Sequence, residues 1–156
     1  MNSLTPDKEL EGFLELVEKH GINTRVTIMG DTLLHLAAAR GFLDWVVWLV
    51  EGRNADLYLA NGIGMLPLHI AAARGHLSVV RYMLEEKQMP ALEKDLAGNT
   101  ILHLAAAAGK TELVDYLIRK YPALTKMKNP KGELPIDVAR KYDQPHIAER
   151  LRRLTL

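Results

Sequence analysis

Cysteine is missing from the chain altogether. That excludes a disulfide framework and a thiolate metal site, and it suits a reducing compartment. Serine occurs only at Ser3 and Ser78. A serine nucleophile therefore has almost no candidates, and Ser78 reads as a helix-start residue. Long apolar runs are also lacking. Trp45 to Val50, and Leu102 to Ala108 with His103 inside it, fall far short of the ~20 residues that a membrane-spanning helix needs. Residues Met1 to Glu9 have neither the basic flank nor the apolar centre of a secretion signal. The formal net charge of +1 gives no bulk field toward nucleic acid or an anionic membrane. With 156 residues, 48% hydrophobic and 25% charged, the chain is expected to be one soluble globular domain. The expected location is intracellular, cytoplasmic or nuclear, without membrane insertion.

What the chain does have is repetition. The segment Thr32-Leu33-Leu34-His35-Leu36-Ala37-Ala38-Ala39-Arg40-Gly41 returns as Leu66 to Gly75 and again as Thr100 to Gly109. A weaker copy starts at Leu134. His35, His69 and His103 keep a step of 34 residues, with Asp137 in the next place, and Gly30, Gly64, Gly98 and Gly132 keep the same step. Downstream of each anchor lies a second stripe: Trp45, Val46, Leu49 and Val50, then Val79, Val80, Met83 and Leu84, then Leu113, Val114, Leu117 and Ile118. Those spacings put each set on one helical face. Each unit thus reads as helix, turn, helix and a glycine-punctuated loop. Thr32 and Thr100 suit the position that caps a helix start, and Pro67 and Pro135 suit the first helical residue. Gly41, Gly75 and Gly109 stand where the first helix stops, a place that favours positive φ.

These anchors resemble the ankyrin-repeat family, whose signature is Gly-x-Thr-Pro-Leu-His-x-Ala-Ala-x-x-Gly followed by a Val-Val-x-Leu-Leu helix. The resemblance covers residues 28 to 154. Leu33 and Ile101 depart from the proline, Leu66 from the threonine, Asp137 from the histidine and Asp143 from the glycine. It implies an all-α ankyrin-repeat solenoid. We divide it into a capping helix and loop (4–29), repeats at 30–63, 64–97 and 98–131, and a C-terminal capping repeat (132–156). Over Pro6 to Lys19, Leu10, Phe13, Leu14 and Val17 form the stripe of the capping helix, and Ile147, Leu151 and Leu154 that of a closing helix. Stacked units share one core. The linkers Lys87 to Leu92 and Tyr121 to Leu124 are similar, so they are expected to turn alike. The regular step would suit a designed binder; the irregular anchors and varied linkers favour a natural chain.

No catalytic constellation emerges. His35, His69 and His103 lie in successive repeats, about 8–10 Å apart as packed helices lie, so no two can ligate one zinc. The resemblance implies instead that each imidazole hydrogen-bonds the loops of adjacent repeats. His20, His76 and His146 read as surface or turn residues. Gly62-Ile63-Gly64 lacks the third glycine and the lysine of a phosphate loop. The chain is therefore expected not to be an enzyme and to need no cofactor or small-molecule substrate.

The resemblance implies a protein or peptide partner, met by hairpin tips and the exposed side of the first helices. Carried over by position, the candidates are Met29, Asp31, Arg40, Ile63, Met65, Arg74, Leu96 and Asn99. Met29, Ile63, Met65 and Leu96 would form an apolar line beside a trough made by Ala39, Ala73 and Ala107. Arg40 and Arg74 would rim it, and an extended or helical peptide with apolar anchors would fill it. Alternatively, these side chains pack against neighbouring hairpins. Trp48, Tyr82 and Tyr116 form an aromatic column read as core filling. Val47, with Trp45 and Trp48 near it, would form a second apolar patch.

Charge divides along the chain. Asp7, Glu9, Glu11, Glu15 and Glu18 stand against Lys8 at one end. From Arg119 onward there are ten basic and four acidic side chains. A basic end could meet an acidic partner or nucleic acid, but a solvated cap is the favoured account and nucleic acid is not the expected partner. The expected molecule is a monomeric scaffold, adaptor or inhibitor; the alternative is a targeting or regulatory module of a larger enzyme.

Overall fold

The computed structural model describes residues 4–154. Among them there are helices and turns and no strand. At the N-terminal end α1 (Lys8–Gly12) and α2 (Leu14–His20) follow one another. Four helix pairs come next: α3 (Leu33–Arg40) with α4 (Leu43–Val47), α5 (Pro67–Ala73) with α6 (Leu77–Arg81), α7 (Ile101–Ala107) with α8 (Thr111–Lys120), and α9 (Pro135–Lys141) with α10 (Pro145–Leu154). The first members α3, α5, α7 and α9 pack in sequence as one row, and the second members lie behind them. The core runs unbroken between the rows, from Leu10 and Val17 through Leu34, Trp45, Leu68, Met83, Leu102 and Leu117 to Ile147 and Leu151. Ala37, Ala38, Ala71, Ala72, Ala105 and Ala106 are fully buried, so small side chains set the close approach of the first-row helices.

Local chemistry starts and stops each helix. The hydroxyl of Thr32 accepts the His35 N–H, and His35 Nδ1 accepts the Thr32 N–H at 3.0 Å. Thr100 and His103 repeat this. Where Pro67 and Pro135 begin the helix, the back-cap alone remains: His69 Nδ1 takes the Leu66 N–H at 3.0 Å, and Asp137 takes the Leu134 N–H at 2.9 Å. At the far end of α3, Gly41 has φ +72°. A Cβ there would lie 2.3 Å from the His76 ring, so the residue needs both positive φ and the space.

Three expectations need correction. The N-terminal segment is two short helices, not one: the Phe13 N–H bonds the Leu10 carbonyl three residues back, after the weak helix former Gly12. The two similar linkers do not turn alike. Gln88 takes positive φ, matching Asn54 one repeat earlier, whereas Pro122 cannot and opens a 3-10 turn over Pro122–Lys126. Third, His76 is no free surface residue, since its Nε2–H donates to the Ala39 carbonyl of the preceding repeat at 2.8 Å.

The second row carries the aromatic column. Tyr82 and Tyr116 are buried and donate their hydroxyls to Glu51 and Glu85 of the preceding repeat. Burial, reinforced by those carboxylates, raises both phenols well above their usual range. Trp48, at the equivalent place, is half-buried edge-on to Trp45 with the Arg53 guanidinium over its ring. Trp45 itself is fully buried, its indole N–H donating to the Thr5 carbonyl at 2.6 Å, so the patch foreseen around Val47 does not include it.

Candidate functional site

Each loop leading into a first-row helix closes as a tight hairpin. The Asn61 N–H bonds the Met65 carbonyl and the Gly64 N–H bonds the Asn61 carbonyl, both at 2.9 Å. The turns around Asp95 and Asn129 repeat the pattern. Successive tips are also joined: the Gly62 N–H donates to the Met29 carbonyl at 2.7 Å, and the Leu96 N–H to the Gly64 carbonyl at 3.0 Å. Beneath the tips, the buried histidines tie each helix to the next hairpin. His35 Nε2–H donates to the Met65 carbonyl at 3.0 Å, His69 to Glu93 at 3.3 Å and His103 to Glu133 at 2.9 Å. Burial lowers the pKa of all three, the accepting carbonyls offsetting it only in part. Neutral rings are required, because Nδ1 accepts while Nε2 donates. Both nitrogens are thus engaged. Among the described residues, no three His, Asp or Glu side chains cluster as metal ligands would.

The hairpins and first-row helices together form a ledge. Between the first two repeats it holds a concavity of about 640 Å³. Met29, Asp31 and Arg40 line one side, and Ile63, Met65 and Arg74 the other. Leu36 and Ala39 of α3 and Ile70 and Ala73 of α5 line it as well. Met29 and Ile63 are half exposed, at 51% and 54%, so they are not consumed by packing between hairpins. Arg40 is committed elsewhere, however: its guanidinium pairs with Asp7, which caps α1, at 2.9 Å and with Glu9 of α1 at 2.8 Å. Arg74 is exposed and forms no ion pair among the described residues.

The other two sequence candidates lie outside this concavity. Asn99 lines a second one, of about 280 Å³, between the third and fourth units. Leu96, 83% exposed, belongs to neither. It lies over Gly64, where a Cβ would come 2.0 Å from the Leu96 Cβ, beside a shallow depression lined by Leu66, Glu93 and Lys94. The 34-residue count explains this. Leu96 shares register with Ile28, Gly62 and Pro130, one residue off the register of Met29, Ile63, Ala97 and Lys131. Leu96 and Ala97 are the two corner residues of one turn, and only Ala97 lines the second concavity while Leu96 lies at the depression by Gly64. Sequence reasoning also missed Leu36 and Ile70. Their signal was an apolar residue directly after each histidine, off the core stripe and only half buried.

Two family models match the chain. One described as ankyrin repeats in three copies matches residues 7–92, and one described as ankyrin repeats in many copies matches residues 86–139. The chain belongs to the ankyrin-repeat family. Ankyrin repeats are generally protein–protein interaction modules and typically not enzymes. No curated protein matches the chain. Among its described residues, no helix is long and apolar enough to cross a membrane.

One position in the array departs from its equivalents. Asp31, Asn99 and Glu133 occupy the same place in the first, third and fourth units, and each hydrogen-bonds a hairpin side chain. Asp31 accepts from Asn61 at 2.9 Å, Asn99 from Asn129 at 3.1 Å, and Glu133 from Asn129 at 2.9 Å. The second repeat has Met65 there, which can make no such bond, and its side chain lines the larger concavity.

Proposed function

We propose that this ankyrin-repeat protein acts as a non-catalytic recognition module, a scaffold, adaptor or inhibitor. Its partner is a protein segment with an apolar anchor, received in the concavity between the first two repeats. The observation that carries the reading is Met65. A polar rung of the hairpin ladder has been given up for a flexible apolar side chain that lines a concavity. Such local departures from consistency concentrate at functional sites. Methionine adapts to the shape of a partner, and exposed apolar patches mark interaction surfaces. Ile63 and Met29 add apolar area beside it, and Arg74 supplies an unpaired cation at the rim. Leu96 is not part of the proposed surface, and Arg40 contributes as a fixed wall held by α1.

The test is affinity capture from a lysate with tagged protein, compared with an Ile63→Asp, Met65→Asp variant. Helicity and melting are expected to persist, because both side chains face the concavity, and specifically retained proteins are expected to be lost. The same proteins recovered in the same amounts would sink the reading.

A further inference from the structure

The two concavities are one site built twice. Every residue lining the larger one has its counterpart two repeats later, and nearly all those counterparts line the smaller one. What differs is the chemistry. Ile63 corresponds to Lys131, Met65 to Glu133 and Ala73 to Lys141. Arg40 and Arg74 correspond to Ala108 and Tyr142, so the first site has apolar tips beside a basic rim, whereas the second carries its charges on Lys131, Glu133 and Lys141. Within the second, Glu133 is already satisfied, accepting from Asn129 at 2.9 Å and pairing with Lys141 at 3.4 Å. These partners hold its pKa below the usual carboxylate value. Lys131 is exposed and forms no ion pair among the described residues, and Lys141 has only the long pair just given and the Tyr142 ring at 5.8 Å. The group left seeking a partner is therefore cationic. Apart from Lys131, Glu133 and Lys141, the chain from Arg119 onward carries eight basic side chains against three acidic.

We propose that the concave face reads a bipartite acidic peptide, with a bulky apolar side chain in the first concavity and an aspartate or glutamate at Lys131 and Lys141 in the second. This rests on the reading of the first concavity given above. The spacing follows from the fold. Two repeat steps at about 8–10 Å each give about 16–20 Å. An extended chain covers that in about five or six residues at ~3.3 Å per residue. A carboxylate fits the second site because two lysines there face the single carboxylate of Glu133, and complementarity of this kind governs specificity.

The test is selection of displayed random peptides, long enough to span both concavities, on the wild-type protein, on Lys131→Glu/Lys141→Glu and on Ile63→Asp/Met65→Asp. Circular dichroism and melting of each variant serve as the folding control. The wild type is expected to enrich an apolar residue with an acidic one five or six positions away. The lysine double variant is expected to keep the apolar preference and lose the acidic one. It should bind a synthetic wild-type consensus peptide about tenfold or more weakly, the effect of two reversed rim charges. Apolar enrichment without the acidic preference would overturn this inference and leave the apolar concavity standing. Recovery of the same peptides by the Ile63/Met65 variant, or no enrichment on the wild type, would overturn both. A labelled single-stranded oligonucleotide bound at low salt and released by the lysine variant, with no acidic preference among the peptides, would give the basic site to nucleic acid and overturn the inference.

Discussion

Asn61 donates its side-chain amide to the carboxylate of Asp31, one repeat earlier, at 2.9 Å. Asn129 makes the same bond to Asn99 at 3.1 Å. Between these rungs stands a gap, where Asp95 occupies the asparagine's place and Met65 the acceptor's. Filling it gives the first prediction. Met65→Asn would let the new amide reach Asp95. It should raise stability by about 0.5–1.5 kcal/mol, the usual worth of one hydrogen bond, and weaken capture of the apolar partner. Urea denaturation with an unchanged m-value checks the first effect, and the capture assay the second. A variant that loses stability and keeps its partner would contradict both.

Gly41 combines positive φ with a neighbour against its α-carbon, so its replacement carries two separable costs. Gly41→Ala should destabilise by about 1–3 kcal/mol, from left-handed backbone strain and from displacement of the His76 ring. His76→Ala should remove the second cost at the expense of the Ala39 hydrogen bond. In a double-mutant cycle the two changes should therefore cost less together than their sum. Strict additivity would show that the ring does not press on residue 41.

Acidification should weaken the fold in two stages. His35, His69 and His103 have folded pKa values below the unfolded value of 6.5. Below about pH 6.5 the unfolded chain therefore binds more protons than the folded one, and stability falls as pH drops. Above that pH these groups contribute no slope. Each histidine adds up to about 1.4 kcal/mol per pH unit between its two pKa values. Glu51, Glu85 and Glu133 have pKa values lowered from 4.5, by Lys87, Tyr116 and Asn129 respectively as the largest cause. They add a second loss below that pH. Denaturant midpoints between pH 8 and 4 on a scale of about half a unit would resolve the stages. His69→Gln should be less stable throughout yet show a flatter upper stage.

Asp44 anchors the N-terminal end. Its carboxylate accepts the Thr5 N–H at 2.6 Å and the Thr5 hydroxyl at 2.8 Å, which holds the Thr5 carbonyl over the Trp45 indole. Asp44→Ala should release that segment, shift tryptophan emission to the red and lower the melting temperature. Unshifted emission would mean that Trp45 stays covered without Thr5.

The helices, their starts and stops and the repeat step were legible because each depends on residues close in sequence. Thr32, Pro67 and Gly41 act on their own turn of backbone. Features that depend on the neighbouring unit were harder to see. His76 looked like a turn residue because its partner carbonyl lies 37 positions back. Arg40 looked free because Asp7 and Glu9 reach it only after α1 packs against α3. The misplacement of Leu96 was a register error that strict counting would have caught. The kinship of the two concavities was also present in the numbering, yet it has meaning only once the lining residues are known to face one space.

Asp137 keeps half of what histidine does in the three units before it. Histidine at this place performs two tasks, capping its own helix and gripping the next hairpin. Aspartate keeps the first, through Leu134, and drops the second, where no further unit follows among the described residues. The side chain thereby stays useful to its own unit alone. An additional repeat spliced behind α10 would find no grip waiting, while one inserted between α6 and α7 would meet a histidine below it and a hairpin above.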